Sequence, residues 1–134
     1  MAAGEFASAM GFAHETLAWM RAVLDAQPAT IARPDRAGVT VLAGTDGGQG
    51  PHGMIVDQIQ MLADCGMSVT RAIGAASWSA RRFLGLPDLE PGAPADLVVY
   101  DADPRRDLDV LRQPAMIILA GQPTGTPAAS VMRH

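Results

Sequence analysis

Hydrophobic positions along the first part of the chain change from helical to strand-like spacing. Residues 12–26 carry apolar side chains at near-helical spacing, which predicts an amphipathic helix. The next stretch, residues 27–38, holds two prolines and ends in a glycine, so it predicts a connection or a short broken helix. Residues 39–43, VTVLA, form a short apolar run of the kind that is buried on both faces of a parallel sheet. A strand is therefore predicted there.

Three short helices are predicted to follow. Residues 54–62 place apolar side chains on one helical face, and Gly66 stands where a left-handed C-cap belongs. Ser68 is a suitable N-cap for the second helix. Ser77 can cap a third helix, which closes at Gly85. The chain after residue 53 therefore begins with helices packed in sequence.

The composition of the sequence changes at residues 87–94, PDLEPGAP, which are rich in proline and predict a turn-rich junction. Two strand candidates follow, residues 95–100 and 116–119, and the charged residues 101–114 between them predict a loop. The tail, residues 122–134, lacks periodicity and is predicted to be disordered. The junction therefore predicts a change of layer or of domain.

Composition and charge narrow the classes of function. The chain has 134 residues, the length of one ordinary domain and about half of a (β/α)₈ barrel of roughly 250 residues. Its net charge is −4, and its ten basic residues are scattered, so a nucleic acid is not an expected partner. All ten are arginines, which excludes a P-loop lysine, a Schiff-base lysine and a carboxylated-lysine metal bridge from this sequence.

The expected location is the cytoplasm. Cys65 is the single cysteine, so no intrachain disulfide is expected, in agreement with a reducing compartment, and we expect it to be simply buried. The N-terminus lacks the basic region of a secretory signal. No apolar run approaches the roughly 20 residues of a membrane span, so a membrane is not an expected partner either.

Residues 43–53, AGTDGGQGPHG, join the predicted strand to the next helix and offer two chemistries. Residues 48–53, GQGPHG, match the G-x-G-x-x-G pattern that binds dinucleotides. The match is imperfect, because its first glycine lies five residues after Ala43 rather than directly after the strand. Pro51 also removes an N–H, and no acidic residue lies about 20 residues beyond the motif to hold a ribose.

The second chemistry belongs to Asp46. A carboxylate at the C-terminal end of a buried strand can bind a divalent ion and accept a proton from water, while the neighbouring glycines leave room for substrate. Asp46 can equally cap the loop by accepting backbone N–H groups, as Asx turns do. Spacing alone leaves both interpretations open.

Several linked motifs resemble a known family. GVTVLAGTDGG at residues 38–48 is followed in order by PHG at 51–53, LADCGMSVTRAIGAASWSARRFLGL at 62–86 and GAPADLVVYDADPRRD at 92–107. This series resembles the C-terminal part of the amidohydrolase superfamily, in the branch of imidazolonepropionases and Xaa-Pro dipeptidases. The resemblance implies an α/β fold, namely the C-terminal fragment of a (β/α)₈ barrel, with its last strand and helices, plus strands of a small β-sandwich.

The resemblance also implies a division of the chain and a set of site residues. Residues 1–86 would belong to the barrel and residues 87–121 to the β-sandwich, ahead of the tail at 122–134. Asp46 matches the aspartate that ends the last barrel strand, a metal ligand and proton shuttle in the family. His52 matches a histidine near the substrate. The cofactor implied is a divalent metal such as zinc, whose remaining ligands are absent from this sequence.

The function implied by the resemblance is metal-dependent hydrolysis of a C–N bond in an amide, a cyclic amide or a peptide-like small molecule. Only His14 and His134 exist besides His52, and neither has the context of a ligand. The isolated chain is therefore expected to be inactive alone. Because barrel strands without neighbours leave open edges, it is expected to associate with a second copy or with an upstream barrel segment. The alternatives are a non-catalytic binding module and nucleotide binding through GQGPHG.

Overall fold

The computed structural model describes residues 14–47 and 53–124. Within these residues, four α-helices come first, one 3₁₀ helix lies between the first two strands, and three short strands form one sheet. Their bounds are α1 His14–Arg36, α2 Ile55–Asp64, α3 Val69–Ala75, α4 Trp78–Phe83, β1 Leu97–Val99, the 3₁₀ helix Leu108–Arg112, β2 Met116–Leu119 and β3 Gln122–Pro123. Among the described residues, no helix is both long and apolar enough to cross a membrane.

Helix α1 runs further than the sequence predicts. The expected connection at residues 27–38 is wrong, because the helix continues through Pro28 and Pro34 as far as Arg36. Each proline removes one backbone donor and normally ends or kinks a helix. Here the last turns pack on the rest of the molecule, since Ala32 is buried and Ile31 lies against the core. Tertiary packing therefore outweighs the local preference for a break.

Helices α2, α3 and α4 confirm the prediction of three short helices. Gly66 ends α2 with a φ of 98°, in the left-handed region that glycine adopts without strain. The Ser68 hydroxyl accepts a hydrogen bond from the Arg71 N–H at 3.4 Å, which caps α3. Ser77 precedes α4 as predicted, but its hydroxyl donates to the Ile73 carbonyl instead of capping that helix.

The predicted strand at residues 39–43 is wrong as an element, because residues 39–46 form neither strand nor helix. A strand is defined by a hydrogen-bonded neighbour, and the described residues supply none beside this segment. Among the described residues, two isolated backbone bonds hold it instead. The Val39 N–H donates to the Pro34 carbonyl at 2.9 Å, and the Ala43 N–H donates to the Ala75 carbonyl at 3.0 Å.

The C-terminal part forms an antiparallel sheet of order β1-β2-β3. Val98 of β1 pairs with Ile117 of β2. Leu119 of β2 pairs with Gln122 of β3 across the turn that joins these two strands. Both strand candidates are confirmed, the first in shortened form. Two expectations are corrected: the predicted loop at 101–114 contains the 3₁₀ helix, and Gln122–Pro123 form β3 rather than disordered tail. Residues 125–134 lie outside the described residues.

Asp96 of the ADLVV motif fastens the turn between β2 and β3. Ala120 and Gly121 both have positive φ angles, 49° and 77°, which are typical of a tight hairpin turn. The Asp96 carboxylate accepts a hydrogen bond from the Ala120 N–H at 2.6 Å, and the Gly121 N–H donates to the Ala95 carbonyl. A side chain 24 positions away in sequence therefore holds the strained residue in place.

One hydrophobic core joins the helices to the C-terminal part. Its buried members come from α2, α3, the 3₁₀ helix and the turn before α3, and they are Ile59, Leu62, Met67, Ala72, Ile73, Ala75 and Leu111. Val41 and Ala43 of the irregular segment pack against it, as does Tyr100. An ion pair between Asp57 and Arg112, 2.7 Å apart, reinforces the contact of α2 with the 3₁₀ helix.

We predict that Leu111→Ala lowers the free energy of unfolding by about 2–3 kcal/mol, because it removes buried methyl groups and leaves a partly collapsible cavity. Leu111 is 8% exposed. Leu89→Ala is the matched control, because Leu89 is 72% exposed, and its expected change is within about 0.5 kcal/mol. Urea unfolding measures both. Equal effects of the two substitutions would show that the 3₁₀ helix does not belong to the core.

Candidate functional site

Asp46, the residue that the sequence singles out, lies at an exposed turn after the irregular segment. Its φ is 47°, in the left-handed region that non-glycine residues seldom adopt. Aspartate tolerates this conformation better than most side chains, because its short polar group can bond locally. The structure therefore presents the carboxylate on the surface, immediately after a stretch that packs on the core.

The packing of residues 39–43 on α3 fixes where Asp46 can lie. The hydrogen bond from the Ala43 N–H to the Ala75 carbonyl lies three residues before Asp46. Ala75 has no exposed surface, and Val41 and Ala43 pack against the same core cluster. The chain leading into the turn is therefore held by backbone and side chain together.

Small residues of α3 make room for this contact. Ala72 and Ala75 are fully buried, and Gly74 lies buried beside them. The indole of Trp78 covers Gly74 so closely that a Cβ there would lie 2.6 Å from its Nε1. Gly74 is therefore required by the position of Trp78 and not by its own backbone conformation.

An ion pair fastens the end of α1 to the start of α3. Arg71 Nη2 lies 2.6 Å from Asp35 Oδ1 and also donates to the Asp35 carbonyl at 3.3 Å. The contact with Oδ1 lacks the geometry of an aligned hydrogen bond. Asp35 is buried while half of the Arg71 side chain is exposed, so water screens the pair from one side. The pair holds the helix end from which the irregular segment departs.

A shallow pocket of about 210 Å³ lies beside residues 38–41, at the start of the irregular segment. Its lining includes Val39, Thr40, Arg71, Trp78 and Ser79. Asp46 is not part of that lining, so the pocket is a separate feature of the surface.

The described residues do not form a metal site by themselves. Within residues 14–47 and 53–124, no three side chains of His, Cys, Asp or Glu come close enough together to hold an ion. A single exposed carboxylate is not enough to hold a divalent metal, which needs further ligands to complete its shell. His52, the other predicted site residue, lies outside the described residues, as do Gly48 to Pro51 of the glycine pattern.

Asp103 and Tyr100 are among the ionisable groups near the 3₁₀ helix whose pKa values are shifted. The Arg105 side chain forms two-pronged hydrogen bonds to Asp103, which lowers the pKa of that carboxyl to about 2. Burial raises the pKa of the Tyr100 hydroxyl. Asp103 also accepts the Arg105 N–H, so this pair shapes a turn rather than a catalytic centre.

Sequence analysis missed the residues that position the site. Asp35 and Arg71 are 36 positions apart, and Asp96 and Ala120 are 24 apart, so no local spacing signals either contact. Asp96 does lie in a motif that the resemblance picks out, which is the one signal that pointed to it. Cys65 is buried, as expected.

Comparisons with known proteins agree with one another. Residues 20–124 match the family model described as Amidohydrolase family. The chain is 46% identical over 96 residues to uncharacterized proteins of Mycobacterium bovis and Mycobacterium tuberculosis, covering 71% of this chain and 26% of each relative. It also resembles the crystal structure of a "putative prolidase" from Bifidobacterium longum, with a TM-score of 0.80 and 29% identity. That match covers 90% of this chain and 31% of the other.

We predict that Gly74→Ala displaces the Trp78 indole. The added methyl group overpacks the contact at a cost of about 1–3 kcal/mol, which exceeds the gain of up to about 1 kcal/mol from replacing a helical glycine. In a Trp19→Phe background, tryptophan emission should shift to the red as the indole becomes more exposed. Gly44→Ala is the matched control, since a Cβ at Gly44 meets no atom within 4 Å. An unchanged emission spectrum for Gly74→Ala would contradict the contact.

Proposed function

Because this chain belongs to the amidohydrolase family, we propose that it carries part of the active site of a metal-dependent hydrolase that cleaves C–N bonds. The match over residues 20–124 is the observation that carries the proposal. The Bifidobacterium longum protein is described as a "putative prolidase", which favours a peptide-like small molecule over other amides. The chain spans about a quarter of the mycobacterial relatives, so the rest of such a site would come from residues beyond this match.

Asp46 is the group that this chain would contribute to the chemistry. Its carboxylate is exposed just after residues 39–43, which are anchored to α3, and there it can reach a bound substrate. One Oδ atom would accept a proton from the attacking water, and the same carboxyl would then donate that proton to the leaving nitrogen. Amines are poor leaving groups unless protonated, so both halves of this transfer are needed.

A divalent metal such as zinc would supply Lewis acidity toward the carbonyl and lower the pKa of the attacking water. Asp46 would be one ligand of that metal. The described residues bring no further ligands beside it, so the remaining ligands would have to come from other parts of a longer polypeptide. His52 would contact the substrate six residues after Asp46.

A second candidate is a non-catalytic module that uses the same fold for binding or assembly. The observation that favours it is the absence of any group of three metal-ligating side chains within the described part of the chain. The two candidates differ in what Asp46 does. It is indispensable to a hydrolase and replaceable in a module.

We predict that Asp46→Asn abolishes hydrolysis in a chimaera in which this chain replaces the matching part of a full-length mycobacterial relative. The amide keeps the shape of the side chain but cannot accept the proton, so the expected loss in kcat is at least about 100-fold. Hydrolysis of a panel of amides, cyclic amides and dipeptides with zinc present measures the effect.

Asp64→Asn in the same chimaera is the matched control, because Asp64 is an exposed carboxylate at the end of α2 that bonds only Gln60 among the described residues. Its rate should equal that of the parent. Circular dichroism should be the same for all three proteins. If Asp46→Asn hydrolyses the substrates as fast as the parent, Asp46 has no catalytic role and the module becomes the better interpretation.

We also predict that the isolated chain neither hydrolyses the same panel nor binds zinc tightly, since one carboxylate is too small a ligand set. Calorimetric titration with zinc should give only weak binding that Asp46→Asn barely changes. A dinucleotide should leave the unfolding temperature unchanged. Tight zinc binding would contradict the ligand count, and protection by the dinucleotide would revive the interpretation of GQGPHG as a nucleotide site.

A further inference from the structure

The stretch of chain that carries Asp46 is anchored before and after that residue by contacts within this chain. Before it, the Ala43 N–H donates to the Ala75 carbonyl. After it, the chain enters the first turn of α2, which begins at Ile55. Met54 precedes that helix and makes no capping hydrogen bond with its side chain. A first turn without a cap leaves backbone N–H groups unsatisfied, so the start of α2 depends on its contacts with the rest of the fold.

An ion pair links this first turn to the C-terminal part of the chain. Arg112 Nη2 lies 2.7 Å from Asp57 Oδ1 and donates a hydrogen bond to it, although the two residues are 55 positions apart. Arg112 Nε also donates to Asp109 Oδ1, in the same 3₁₀ helix, at 3.2 Å. This second bond orients the guanidinium, so less side-chain freedom is lost when Arg112 meets Asp57. The pair is complete within the chain and needs no further partner.

Apolar packing and the ion pair act together on α2. Leu111 of the 3₁₀ helix is buried in the same core cluster as Ile59 and Leu62 of α2. This packing brings the two helices into contact, and the ion pair then holds the first turn of α2 against the 3₁₀ helix. Both side chains of the pair are about half exposed, so water screens their attraction. A screened pair of this kind shifts an equilibrium by at most about 5-fold.

We propose that Arg112, acting through Asp57, is a positioning residue for the hydrolytic site, an inference that rests on the proposed function. Loss of the pair would let the first turn of α2 open and would release one of the two anchors of the chain around Asp46. A carboxylate that transfers a proton tolerates little displacement, so turnover would fall although no reacting group is removed. The 3₁₀ helix of the C-terminal part would thereby support the site from a distance.

Hydrogen exchange on the chain itself tests the first link. Arg112→Gln removes the cation and keeps Asp57, whose charge also suits the start of a helix. The amides of residues 58–60, the first to be bonded within α2, are expected to exchange about 2- to 5-fold faster. Arg112→Lys keeps the charge and should restore most of the protection. Arg105→Gln is the matched control, because its partner Asp103 is only two positions away, and it should exchange like the wild-type chain. Exchange of Arg112→Gln at the wild-type rate overturns the inference.

Turnover in the chimaera tests the link to the site, with kcat expressed per folded molecule. Arg112→Gln should lower kcat by about 2- to 5-fold, Arg112→Lys should recover the parent value, and Arg105→Gln should not change it. Adding Arg112→Gln to Asp57→Asn should cause no further loss, because the two residues act as one unit.

The same measurements separate failure of this inference from failure of the proposed function. If Asp46→Asn is inactive while Arg112→Gln is as fast as the parent, the positioning role is overturned and the hydrolase proposal stands. If Asp46→Asn is as fast as the parent, the proposed function fails and the positioning role fails with it.

Discussion

The hydrogen bond between the Ala43 N–H and the Ala75 carbonyl is the constraint from which the rest of the arrangement follows. It needs a close approach of backbone to helix, and the buried small residues Ala72 and Ala75 permit that approach. A larger side chain at either position would push the segment away from α3 and take Val41 out of the core. The sequence AIGA at the end of α3 is therefore a packing surface, and its small residues determine the path of the chain toward Asp46.

Two features at the far end of the segment complete this arrangement. The Asp35–Arg71 pair holds the end of α1 against the start of α3. Both ends of residues 39–43 are therefore anchored to α3. Trp78 covers Gly74 and thereby limits how α3 and α4 can shift relative to each other. A carboxylate that has to move a proton benefits from such a frame, because an error of one ångström in the position of a reacting group is costly to its rate.

The sequence predicted those elements whose causes are local. Gly66 and Ser68 mark the end of α2 and the start of α3 by their own backbone and side-chain preferences, and the structure confirms both. The prolines of α1 gave a wrong boundary, because contacts with distant residues outweigh a local preference. The strand at 39–43 was wrong for a related reason: its apolar pattern is typical of a strand, but a ladder requires a neighbour. Asp46 is identifiable only because a series of motifs surrounds it, since a single aspartate forms no spaced pattern that could be recognised.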